Sequence, residues 1–196
     1  RVESLDTESR SSATTILVLS TLRFLQGVDP KELPDEARKL LSFIDNRQDA
    51  ALQAGHFNDF VQISALRAAV YRAAARAAAT GLLTEQLAQG VFDALAVAPD
   101  KYAVTPDAKY GAKADNERAL RDVLGYRVFR DLERGWRFLT PNLEQTGLLK
   151  VEYASLPEIC ADQELWQATH PALAAATPSV REKVAGVLLD ELRRRL

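Results

Sequence analysis

The chain has no methionine, one cysteine and two histidines among 196 residues, and aromatic side chains make up 7% of it. A lone cysteine, Cys160, excludes an internal disulfide framework and fits a reducing compartment. His56 and His170 show no paired ligand spacing, so no metal site is expected. No apolar run approaches the ~20 residues that a membrane-spanning helix needs. The polar opening "RVESLDTESR" has no signal-peptide pattern. No membrane contact is therefore expected, and the expected location is the cytoplasm. A strong excess of one charge is missing as well: 25 basic against 27 acidic residues leave a formal net charge of −2. Any contact with nucleic acid must then come from a local basic patch. The nine glycines never precede a lysine, which excludes a Gly-x-x-x-x-Gly-Lys-Ser/Thr phosphate loop. With Arg at position 1 and no methionine anywhere, the chain is expected to be an internal piece of a longer protein.

What is present is globular: 47% hydrophobic and 27% charged residues, enough to bury a sizeable core. Ser11 or Ser12 can cap a first helix whose positions Ile16, Leu19 or Ser20, Leu22 and Phe24 lead to Gly27 as its stop. "DPKELPDEAR" is a connector. Leu40–Ile44 reads as a short buried strand, too brief for a helix. Helical periodicity then runs from Gln48 to about Thr80, with a break suggested at Gly55. Its stripe is Ile63, Leu66, Val70, Ala73 and Ala77, with Arg72 and Arg76 on the far side. Nine of the fifteen residues from Ala65 to Ala79 are alanine, which favours the helix and close approach of its neighbours. Further helices are expected from Thr84 to about Val97, over Arg118–Arg134, near Cys160–Ala168 and from Ser179. Ala98–Asp115 is a loop and Leu148–Tyr153 a second short strand. The last helix shows an apolar stripe of Val180, Val184, Val187 or Leu188 and Leu192, and ends in a solvated "RRRL". The fold expected is mainly α, with one or two short strands.

Two passages carry chemistry. "LLSFIDNRQDAALQAGHFNDF" (Leu40–Phe60) ends an apolar run abruptly in Asp45-Asn46-Arg47-Gln48-Asp49. Side chains just past the carboxyl end of a strand in a parallel α/β sheet face the ligand crevice. The plainer account makes Asp45 a helix cap and Arg47 and Asp49 solvated, and the five residues alone favour that. "RGWRFLTPN" (Arg134–Asn142) sets Trp136 and Phe138 beside Arg134 and Arg137, a basic–aromatic mixture suited to stacking bases and pairing phosphates. Here the plainer account closes a core with Trp136 and leaves the arginines in solvent.

The first passage resembles the opening of the second RecA-like lobe in a group of large bacterial DEAD/DEAH-box helicases, where an apolar strand ends in Ser/Thr-Asp-Asn/Ser-Arg-Gln-Asp-Ala. "RSSATTILVLSTLR" before it and "GYRVFRDLERGWRFLTPNLEQTGLLKVEY" after it agree in order. The resemblance implies a fragment of a RecA-like lobe in residues 1–60, followed by a helical insertion over 61–196. It implies an ATP-driven motor on nucleic acid, DNA foremost, with ATP and Mg held by the remaining helicase domains and no cofactor in this segment. Backbone contacts would fall to Asn46, Arg47 and Gln48, with Asp45 and Asp49 holding the loop and Arg134 and Arg137 as further contacts. The chain departs from the family in lacking the phosphate loop and the glycine-arginine finger motif, and "DEAR" (Asp35–Arg38) follows Leu-Pro rather than an apolar strand. No catalytic residue is therefore assigned, since the charges that stabilise phosphoryl transfer are not in it. The rival expectation is a non-enzymatic helical interaction or dimerisation module.

Overall fold

The computed structural model describes residues 7–41, 47–77, 80–135 and 141–195, with the side chains of 7–11, 48 and 49 left out. These residues form eight α-helices: α1 Thr7–Gly27, α2 Arg47–Arg76, α3 Thr84–Leu95, α4 Tyr110–Arg134, α5 Leu156–Ala161, α6 Gln163–Gln167, α7 Pro171–Ala174 and α8 Pro178–Arg195. Two single 3-10 turns, Asp35–Ala37 and Pro99–Lys101, punctuate the connectors. No strand occurs among the described residues. The fold is mainly α, as the helical periodicities predict.

The chain divides into two compact units, Arg1–Ala65 and Leu66–Leu196. In the first, α1 begins at Thr7, so Ser11 and Ser12 lie inside the helix rather than at its cap. Its apolar residues run around the cylinder. Thr15 is fully buried, Val18, Leu19, Leu22 and Leu25 are half-buried, and Ile16 and Phe24 stay exposed. The connector after α1 is pinned by Arg38, whose guanidinium donates to the carbonyls of Leu33, Gln26 and Val28. Arg38 thus serves orphan carbonyls of the last helical turn. Leu40 and Leu41, the described part of the first expected strand, are exposed and in no ladder, while Ser42–Ile44 lie outside the described residues. α2 passes through Gly55 unbroken. His56 is buried there and stacks near Phe60, with ring centroids 6.3 Å apart.

The second unit holds the main core. Leu66, Ala69, Val70 and Ala73 of α2 are buried at helical spacing, which matches the predicted stripe, and Arg72 and Arg76 are exposed. Leu87, Val91 and Ala94 of α3 and Leu124, Val128 and Leu132 of α4 complete it. Small residues let these helices approach: a Cβ added at Gly125 on α4 would sit 3.3 Å from that of Ala88 on α3. α4 begins at Tyr110, within the expected loop, and so is longer than predicted.

Leu148–Tyr153 is no strand but an irregular strap. A strand needs a ladder partner; here side chains take that part. The Val151 N–H donates to the Glu144 carboxylate at 3.3 Å, and the Tyr153 hydroxyl to Asp190 at 3.0 Å.

The tail closes around Arg181, 1% exposed, with Cys160 buried in the same core. Arg181 donates to the carbonyls of Leu173, Cys160 and Ala174 and to the Gln163 side chain, and lies 5.4 Å from the Trp166 ring centroid. A planar fork of five donors can serve four acceptors at once, more than the three donors of a lysine could. The predicted stripe of α8 is corrected by this packing. Arg181, Ala185, Gly186, Leu189 and Arg193 lie inward, while Val180, Val184, Val187, Leu188 and Leu192 remain exposed.

Candidate functional site

The five-residue motif of the first unit is described only in part. Asp45 and Asn46 lie outside the described residues, as do the side chains of Gln48 and Asp49. Arg47 is exposed and is the first residue of α2. A helix start leaves four backbone N–H groups without intrahelical acceptors and carries the positive end of the helix dipole. A cation there adds to a region already suited to anions.

The second unit contains a cleft of about 700 Å³. Its apolar lining includes Val70 and Ala74 from α2, Leu82 and Leu87, and Leu132 from α4. One wall is the face of α4 that carries Tyr126, Phe129, Arg130, Glu133 and Arg134, spaced so that they stack over successive turns. The other wall is the strap, through Leu149, Lys150, Val151, Glu152 and Tyr153. Tyr126 is 62% exposed and Phe129 48%, so two aromatic rings stand half in solvent at the cleft.

The charges divide by role. Arg193 at the back of the cleft is a structural cation, its Nη2 donating to Glu144 at 2.5 Å and to Asp190 at 3.2 Å. Burial disfavours its charge, but the hydrogen bonds to Glu144 and its neighbours outweigh this and raise its pKa. Burial likewise works to raise the Asp190 carboxyl, while hydrogen bonds from Arg193 and Tyr153 together hold it below the usual aspartate value. The expected solvated helix end is thus corrected at Arg193, though Arg194 and Arg195 stay exposed. Among its lining residues, Lys150 pairs with Glu152 at 2.9 Å in solvent, and the exposed Arg134 pairs with the half-buried Glu133 at 3.4 Å. Arg130 donates to the Tyr126 hydroxyl, a neutral acceptor, at 3.0 Å.

Beneath α4, Arg67 grips Asp131 through two hydrogen bonds of 2.8 and 2.7 Å and donates to the Pro141 carbonyl. The Leu143 N–H donates to the Asp131 carbonyl, and the Asn142 side chain to that of Leu132. This clamp fixes the end of α4 and so the turn that carries Arg134.

Of the basic–aromatic passage, Arg134 joins the cleft, whereas Trp136, Arg137 and Phe138 lie outside the described residues. The sequence reading missed Tyr126, Phe129, Arg130 and Lys150. A signal existed in the spacing Tyr126-x-x-Phe129-Arg130-x-x-x-Arg134, one helical face of aromatic and basic residues. Among the described residues no group of His, Cys, Asp or Glu is arranged to hold a metal, and no helix is long and apolar enough to cross a membrane. No protein family, curated protein or solved structure matches the chain.

Proposed function

We propose that the chain is an internal segment of an ATP-dependent nucleic-acid helicase acting in the cytoplasm. It contributes contacts to the nucleic-acid backbone and structure to a RecA-like lobe, DNA being the expected substrate. ATP and Mg are left to the remaining helicase domains. The observation that carries the reading is the "IDNRQDAALQAGHFNDF" passage, whose Arg47 is exposed at the start of α2. Phosphate recognition at a helix start needs backbone N–H donors and a nearby cation, and Arg47 would supply the cation. The test is ATP hydrolysis by the full-length protein with and without single-stranded DNA. DNA-stimulated hydrolysis is expected from the full-length protein and none from residues 1–196 alone. Turnover by the pure 196-residue chain would overturn the reading.

A second reading, a helical interaction or dimerisation module, is favoured by the exposed stripe of α8, in which Val187 is 69% and Leu188 58% exposed. Such a stripe exceeds the scattered apolar exposure normal for a surface. Sedimentation of the 196-residue chain tests it: concentration-dependent self-association that Leu188→Glu abolishes would favour this reading.

A further inference from the structure

We infer that the cleft between α4 and the Leu149–Tyr153 strap is a binding site for the bases of a single-stranded nucleic acid; this rests on the helicase reading. Phe129 and Tyr126 supply two half-exposed rings on one wall, and Arg130, Arg134 and Lys150 supply cations beside them. Rings of this kind gain by stacking a base on any sequence, because every base has a π-face, while cations alongside track the phosphates. A paired duplex keeps its bases stacked inside, so only an unpaired strand can bring a base face to Phe129. The cleft's volume falls within the range of small-ligand pockets, which suits one or two splayed nucleotides.

The charges fit the same occupant. Glu133 and Glu152 are each matched by a neighbour, Arg134 and Lys150; the Lys150–Glu152 pair is exposed and rearranges at little cost, while Glu133 is half-buried beside an exposed Arg134. Arg130 has the neutral Tyr126 hydroxyl as its hydrogen-bond acceptor, so that bond leaves its charge uncompensated. Tyr126, Phe129 and Arg130 project from a helix that the Arg67–Asp131 pair ties to α2, so the helix that carries them is anchored without the strand.

The test is binding of the full-length protein to a fluorescent single-stranded oligonucleotide and to the same oligonucleotide with abasic positions. Phe129→Ala is expected to weaken binding of the intact strand by about fivefold or more and to leave the abasic strand unchanged. Arg130→Ala should weaken both and make the salt dependence shallower by about one phosphate contact. Phe129 is half-buried, so the variant should lose only part of the stability of a core truncation, and the abasic strand serves as an internal control for folding. Equal affinity changes on the two strands, including no change, would overturn the cleft assignment. If Arg47→Ala still weakens binding in that case, the cleft alone is wrong and the helicase reading stands. A full-length protein that binds neither strand overturns the helicase reading and the cleft assignment with it.

Discussion

Asp131 shows how far a single side chain sets the geometry of the candidate site. Its side chain is 1% exposed, and that of its partner Arg67 16%. Removing two charges from water is costly, and the attraction between them offsets that cost only while both are present. Asp131→Asn is therefore expected to lower stability by about 3 kcal/mol or more. The double variant Arg67→Met, Asp131→Leu, which leaves no buried charge behind, should recover most of that loss in urea denaturation. A double variant no more stable than Asp131→Asn alone would show that the pair is held for its hydrogen bonds to the Pro141 turn. Ala96 offers the opposite case, a residue the backbone does not suit. It closes α3 at φ 50°, a left-handed position that glycine adopts freely and alanine does not. Ala96→Gly removes that strain but loosens the unfolded chain, so a net gain of up to about 1 kcal/mol is expected. A loss of stability would mean that the strain is smaller than the entropy of the added glycine.

At the scale of elements, legibility followed burial. The stripe of α2 was readable because Leu66, Val70 and Ala73 are apolar at the very spacing that faces the core. α8 was misread for a physical reason: its inward face is built from Arg181, Ala185, Gly186, Leu189 and Arg193, only one of them a large aliphatic, while Val180, Val184, Val187, Leu188 and Leu192 face out. Hydrophobic periodicity finds the apolar face of a helix, not the face that is covered. Leu188→Glu should accordingly change stability by no more than about 0.5 kcal/mol, as surface substitutions do. A large loss would place Leu188 in a core. The Leu148–Tyr153 strap was misread for the converse reason, since alternation of apolar and polar residues marks a half-buried segment whether or not a ladder forms. What holds the strap is charge, and that can be titrated. The folded carboxyl of Asp190 lies below its ordinary value, so its contribution is complete above the unfolded aspartate pKa of about 3.9 and is lost as pH falls through the lower folded value. Asp190→Asn should therefore be less stable than the parent chain at neutral pH, with the difference shrinking below about pH 4. A difference independent of pH would assign the effect to packing instead.

For the molecule as a whole, the two candidate contact regions differ in how far sequence could reach them. Asp45–Asp49 is a contiguous motif, so residue order alone brings it to notice, and Arg47 is its only cation. The cleft is assembled from residues as distant in sequence as Val70 and Arg193, which only the packing of the helices and the strap unites. Arg134 was reachable from either side, being both in a basic–aromatic passage and on the cleft wall. Contacts to phosphate and contacts to bases respond differently to salt and to sequence, and that difference separates the two regions in one protein. Arg47→Ala in the full-length protein should weaken binding of every single-stranded sequence about equally. Its slope of log affinity against log salt should become shallower by about one contact, because one fewer counterion is released per complex. Abasic and intact strands should suffer alike, since a backbone contact does not register the base. The competing account leaves Arg47 as an exposed side chain on the first turn of α2, where its replacement changes helix stability by a few tenths of a kcal/mol at most. The two accounts separate in a single titration series from low to physiological salt. An Arg47→Ala protein with the parent's affinity and the parent's salt slope would remove Arg47 from the interface.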